Sequence, residues 1–276
     1  MTAAPAARTS DARTSGAAPA AAHPALLGTA GALVFLALWE AAPRTGLVDA
    51  RALPPLSAVV PELVDRASGA AYWIAVGDTV AAAGLGLAIA LAAALALGFA
   101  VGSVPVLRAY TASTVEFLRP IPSVALIPVA VLLYATDIRS TLLLVVYASF
   151  WQIYIQVLYG VADIDPVVEQ TARSFRFGRA ARVRHVIWPS ALPYVLTGVR
   201  LGAAVALILA VTAQLVIGSP GLGKQIQAAQ AGGAVPAVYA LILTTGALGV
   251  LVNVGVRALE RRVLRWHPAV RGEAPV

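Results

Sequence analysis

The chain has 276 residues, of which 59% are hydrophobic and 12% charged, and its mean hydropathy is +0.82. Water-soluble domains carry roughly 25% charged residues, so one soluble core is excluded, whereas lipid can absorb this much apolar surface. The net charge of +7 sits in short stretches between apolar runs, as in loops flanking a membrane and not on a nucleic-acid-binding face; the lack of cysteine excludes disulfides, thiolate metal sites and cysteine nucleophiles.

In chain order, residues 1–24 are rich in Ala, Pro, Ser and Thr and read as a disordered tail. Six apolar runs follow, over 26–39, 79–107, 120–136 (interrupted by Pro120, Pro122 and Pro128), 140–162, 201–223 (with a start nearer Pro193) and 236–256. At roughly 20 residues per crossing they predict an all-α membrane protein of about six transmembrane helices over 25–268, with a short tail over 269–276. The Lys and Arg distribution favours both termini in the cytoplasm. Arg108, Arg119, Arg173, Arg176, Arg182, Arg184 and Arg261 then lie inside, and Arg44, Arg51, Arg66, Arg139 and Lys224 outside. Gly98 with Gly102, and Gly198 with Gly202, have the spacing that lets helices approach closely, although lipid-facing helix is an equal reading. Asp78 is expected at the start of the second span, and Trp39 and Trp73 suit interfacial anchoring.

Between the fourth and fifth spans, about 163–190, lies a basic segment too polar to cross lipid. Asp165-Pro166 reads as a helix start. Val167, Val168, Thr171, Ala172 and Phe175 recur at helical spacing, Gly178 is a breaker, and a second short helix runs to Trp188-Pro189. By periodicity alone this is either an interfacial linker on anionic lipid or a stiff handle for a partner.

The same segment resembles the EAA loop of ABC importer permeases, a pattern of Glu-Ala-Ala, three residues, Gly, nine residues, Ile, one residue, Leu-Pro. Aligned on Pro189, Trp188 takes the Leu position, Val186 the Ile, Ala172 the second Ala and Gln170 the Glu, with Glu169 one place earlier; Arg176 stands at the Gly, and Gly178 two places later. The flanks Arg119-Pro120-Ile121-Pro122, Leu192-Pro193 with Thr197-Gly198-Val199-Arg200, Gly218 to Gly223, and Leu259-Glu260-Arg261-Arg262 resemble stretches of the nitrate, sulfonate and taurine branch. The resemblance covers about 79–268. It implies a type I importer permease of the bacterial cytoplasmic membrane, moving a small nitrate-, sulfonate- or taurine-like solute by alternating access. It also implies a cytoplasmic ATPase dimer as motor, a periplasmic or lipid-anchored solute-binding protein and a second permease copy. Under that reading Glu169, Gln170, Ala172, Arg176, Gly178 and Pro189 belong to ATPase coupling. Thr212, Gln214 and Arg200 are candidates for the translocation path, with interhelical bonding, or lipid contact for Arg200, as the plainer alternative.

No acid/base pair, nucleophile triad or metal cluster is visible in the sequence, so neither catalysis nor a cofactor is expected of this chain. Gly218 to Lys224 has P-loop spacing, but Gln225 replaces the magnesium-binding hydroxyl and no strand precedes it. A secondary transporter or channel working without an ATPase is the alternative, and it would need ionisable groups near mid-membrane.

Overall fold

The computed structural model describes residues 24–265, and the secondary structure there is helical. The expected tails fall outside the described residues, save Pro24, as do Trp266 and His267. The helices are α1 (Pro24–Arg44), α2 (Leu56–Ser68), α3 (Ala70–Ser103), α4 (Pro105–Leu118), α5 (Ile127–Tyr134), α6 (Ile138–Ala162), α7 (Pro166–Ser174), α8 (Arg179–Arg182), α9 (Trp188–Ile217), α10 (Leu222–Ala231) and α11 (Val235–Val263). A 3-10 turn, Ser123–Leu126, precedes α5, and a π-helical turn, Val183–Ile187, joins α8 to α9. Among the described residues five helices are long and apolar enough to cross a membrane, within α1, α3, α6, α8–α9 and α11; the pair α4 and α5, bent by 81°, is a sixth candidate.

Helix α6 is the hub, packed most extensively on α9 and α3. Along α3 a Cβ built on Gly86 would meet Val145, one on Gly98 would meet Val157, and one on Gly102 would meet Val161. The partners advance together, so α3 and α6 run parallel. On the other side Gly160 faces Ala191, Gly198 faces Ile153, and Ser149 bonds the Gly202 carbonyl, so α9 runs antiparallel to α6. The paired glycines singled out in the sequence all face α6 and none faces lipid. Two successive parallel crossings need one crossing between them, which makes the α4–α5 pair a single broken span. Six crossings result, and the loop holding α7 and α8 lies on the face where α11 ends.

The structure corrects several boundaries. The second span starts at Ala70, not near 79, so Trp73 and Asp78 lie within α3. The third is not a straight helix over 120–136: α4 precedes it and was hidden by its polarity, since it buries no residue, while Pro120 and Pro122 break the helix after Leu118. The ten-residue α10 sits where only a loop or kink was expected; with three glutamines it carries no span signal, yet Leu222, Ile226 and Ala229 are buried against Tyr72 and Leu241. Trp39 packs on Tyr239 with the ring planes tilted by 60° and donates its indole N–H to the Pro54 carbonyl at 3.0 Å, which fixes the end of α1 beside the start of α11.

Candidate coupling loop and membrane cavity

The loop begins at Asp163, which caps α6 and accepts a short hydrogen bond from the Tyr194 hydroxyl on α9. The Asp165 carboxylate then accepts the Val167 N–H at 2.8 Å and Pro166 takes the first turn of α7, a start set by local chemistry. At its other end Phe177 N–H donates to the Ala172 carbonyl and Arg176 N–H to the Arg173 carbonyl, both at 2.9 Å, with Arg176 at φ 54°. This is a Schellman closure. Its left-handed residue is the one standing at the EAA glycine, and that backbone is the physical reason for glycine there. The turn therefore falls at Arg176, two residues before the breaker expected at Gly178, which does not have a positive φ.

Glu169 clasps the two short helices: its carboxylate lies 2.7 Å from Arg173 and 3.8 Å from Arg182. Such exposed pairs contribute no more than about 1 kcal/mol each, so they orient the helices more than they stabilise them. Phe177 and His185 meet edge-on, and buried Val186 and Ile187 anchor the second half, Ile187 against the cluster holding Val161 and Val195. Trp188-Pro189 does not end a helix, as the sequence had suggested. Pro189 has no N–H and its ring would press on the carbonyl four residues back; the chain widens just before it, with the Trp188 N–H reaching Val183, and continues as α9. Of the expected apolar face of α7 only Ala172 is buried, whereas Val167 and Phe175 are 67% and 75% exposed. Gln170 and Gly178 are also exposed, and Pro189 is half-buried.

The three candidates for a path are not brought together. Arg200 lies 3.6 Å from Glu260 on α11, a partner the sequence reading did not name. The Thr212 hydroxyl donates to the Ile208 carbonyl of its own helix. Gln214 is fully buried (0% exposed); its Oε1 accepts the Thr79 hydroxyl at 2.8 Å and the Gly223 N–H at 3.3 Å, and its Nε2 has no partner among the described residues. A Cβ on Gly221 would fall 2.2 Å from the Gln214 amide carbon, and Gly218 and Gly221 have positive φ. The glycines of the P-loop look-alike thus serve close packing of α10 on α9.

The sequence reading missed a polar cavity at the break between α4 and α5. It is about 290 Å³ and is lined by Arg119, Ser123, Trp151 and Gln152 among others. The Tyr147 hydroxyl donates to the Leu118 carbonyl at 2.6 Å. Tyr147 is the tenth residue of the 25-residue α6, so Arg119 is level with the middle of a crossing, not in a loop beyond a span end as the charge distribution had suggested. A larger cavity of about 750 Å³, walled by Phe150, Trp151 and Tyr154, adjoins it. A basic residue followed by two prolines at the head of a charge-free run was the available signal.

Residues 86–265 match the family described as "Binding-protein-dependent transport system inner membrane component". The chain belongs to that family. The permease is 30% identical to the taurine transport system permease protein TauC of Escherichia coli (strain K12), over 86% of this chain and 88% of the relative. It is 29% identical to the putative aliphatic sulfonates transport permease protein SsuC of Bacillus subtilis (strain 168), over 87% of each. It is 27% identical to the bicarbonate transport system permease protein CmpB of Synechococcus elongatus, over 87% of this chain and 90% of the relative. Its fold is that of a chain in an inward-facing structure of the MetNI methionine ABC transporter, with a TM-score of 0.59 at 16% identity, covering 67% of the permease and 93% of that chain.

Proposed function

We propose that this permease is the membrane half of an ATP-driven importer for a small oxyanionic solute of the sulfonate or bicarbonate type, with a cytoplasmic ATPase docked on residues 163–190. The observation that carries the reading is the α7–α8 loop: closed by a Schellman motif, clasped by Glu169 and continuous with α9, yet presenting uncovered Val167 and Phe175. Exposed apolar groups on a stiff basic element suit a protein partner, and a stiff element passes on movement that a loose linker would absorb. Glu169, Gln170, Arg176 and Gly178 then lie on the coupling surface, with buried Ala172 and half-buried Pro189 supporting it from behind, and closure of two ATPases on two permease copies swings α9 against α6. A separate binding protein delivers the solute at the opposite face. The relatives' names for taurine, aliphatic sulfonates and bicarbonate support the solute class. The positive charge on the loop supports a cytoplasmic position for it, and with it for both termini.

Co-purification of the cognate ATPase tests the docking. The ATPase is expected to stay with the full chain and to be lost when residues 171–184 are deleted, while the shortened permease still inserts. Retention of the ATPase by the deletion variant overturns the proposal.

A further inference from the structure

Arg119 lies halfway along a membrane crossing and makes no ion pair or side-chain hydrogen bond with any described residue. Burying a lone guanidinium at that depth in lipid costs at least about 2.5 kcal/mol, so the group belongs against water or an anion. Gln152 is exposed in the single chain, also at the middle of α6, and Ser123 sits half-buried across the break; neither side chain has a hydrogen-bond partner among the described residues. The fourth wall is Trp151, which is 91% buried (9% exposed) and whose indole N–H is without an acceptor among the described residues. Buried donors left open in this way are uncommon and call for an explanation. Arg119 also lines a neighbouring cavity with Arg108 and Glu116, two basic groups to one acidic.

We propose that the cavity at the α4–α5 break is where the permease contacts the oxyanion group of its solute, with Arg119 as countercharge and Gln152 and Ser123 as neutral donors. This rests on the importer reading above for the identity of the solute, but not for the existence of the site. The broken span supplies the geometry: a continuous helix would bond its own backbone and present side chains to its neighbours, whereas the kink at Pro120 and Pro122 opens a polar notch at mid-depth.

Because the chain lacks cysteine, Gln152→Cys creates the one cysteine of the permease, and its modification in the assembled transporter in native membranes is read on the permease after that chain is isolated. With each rate divided by that reagent's rate for a free thiol in solution, the anionic reagent sulfonatoethyl methanethiosulfonate is expected to modify it about tenfold faster than the cationic trimethylammonioethyl methanethiosulfonate, the effect of one nearby positive charge at intermediate dielectric. Arg119→Gln should abolish that preference, Arg119→Lys should retain it, and ethanesulfonate or bicarbonate should slow the reaction. An unreactive Gln152→Cys, equal rates for the two reagents, a preference that survives Arg119→Gln, or no protection by either anion overturns the site. None of these outcomes depends on ATPase docking, so the two proposals fail separately.

Discussion

Arg176 adopts a backbone conformation that disfavours any residue with a Cβ by about 1 kcal/mol or more. The Schellman bonds from Arg176 and Phe177 hold it there. Arg176→Gly is therefore expected to stabilise the closure of α7 by about 1 kcal/mol, seen as roughly fivefold slower amide exchange across 171–177; unchanged or faster exchange would show that the turn is not under strain. Gln214 illustrates the opposite relation between residue and role. In sequence it is an intramembrane polar group open to a path or to a neighbouring helix. In the fold, the missing side chains of Gly221 and Gly223 admit the segment that covers it, and its carbonyl holds Thr79 and Gly223.

At the level of elements, α6 can touch α3 and α9 along its length because glycines alternate with Ala on the facing stripes. Gly86, Gly98 and Gly102 receive Val145, Val157 and Val161, and Gly198 and Gly202 receive Ile153. Lipid offers no hydrophobic drive between helices, so this close van der Waals fit carries the association. Gly98→Leu would place atoms where Val157 already stands, 2.6 Å from the Cβ position. A loss of about 1–3 kcal/mol is expected, measured as a lower thermal midpoint of the detergent-solubilised protein. Gly246→Leu on α11, where nothing lies within 4 Å, is the neutral control. The π turn before Pro189 is likewise an element-scale feature: proline removes one donor, and a wide turn lets the coupling loop and α9 remain one body.

For the whole molecule, parallel α3 and α6 require six crossings, and the loop around Gly178 and the turn at Gly232 then lie on opposite faces. Single cysteines at these positions, Gly178→Cys and Gly232→Cys, should be labelled by a membrane-impermeant thiol reagent from opposite sides, with only Gly232→Cys reactive in intact cells; labelling of both from one side would contradict the topology. Apolar runs in the sequence were enough to give the membrane class, the number of crossings and the start of the last span to within a residue, because a backbone in lipid must bond to itself as helix. The 163–190 loop was legible too, since Asp165-Pro166 and the spacing to Pro189 are local signals. Hydropathy is averaged along the chain and carries no record of what packs across it, so α4, α10 and the depth of Arg119 stayed hidden. What only the tertiary structure decided is which polar groups meet. Arg119, just past the end of α4, and Gln152 on α6 are aligned by the Tyr147–Leu118 bond and the break at Pro120, while Gln214 and Arg200, on one helix, are claimed by Thr79 and Glu260. Pairing across a bundle depends on helix register, and register is set by glycine–valine contacts between segments far apart in the chain.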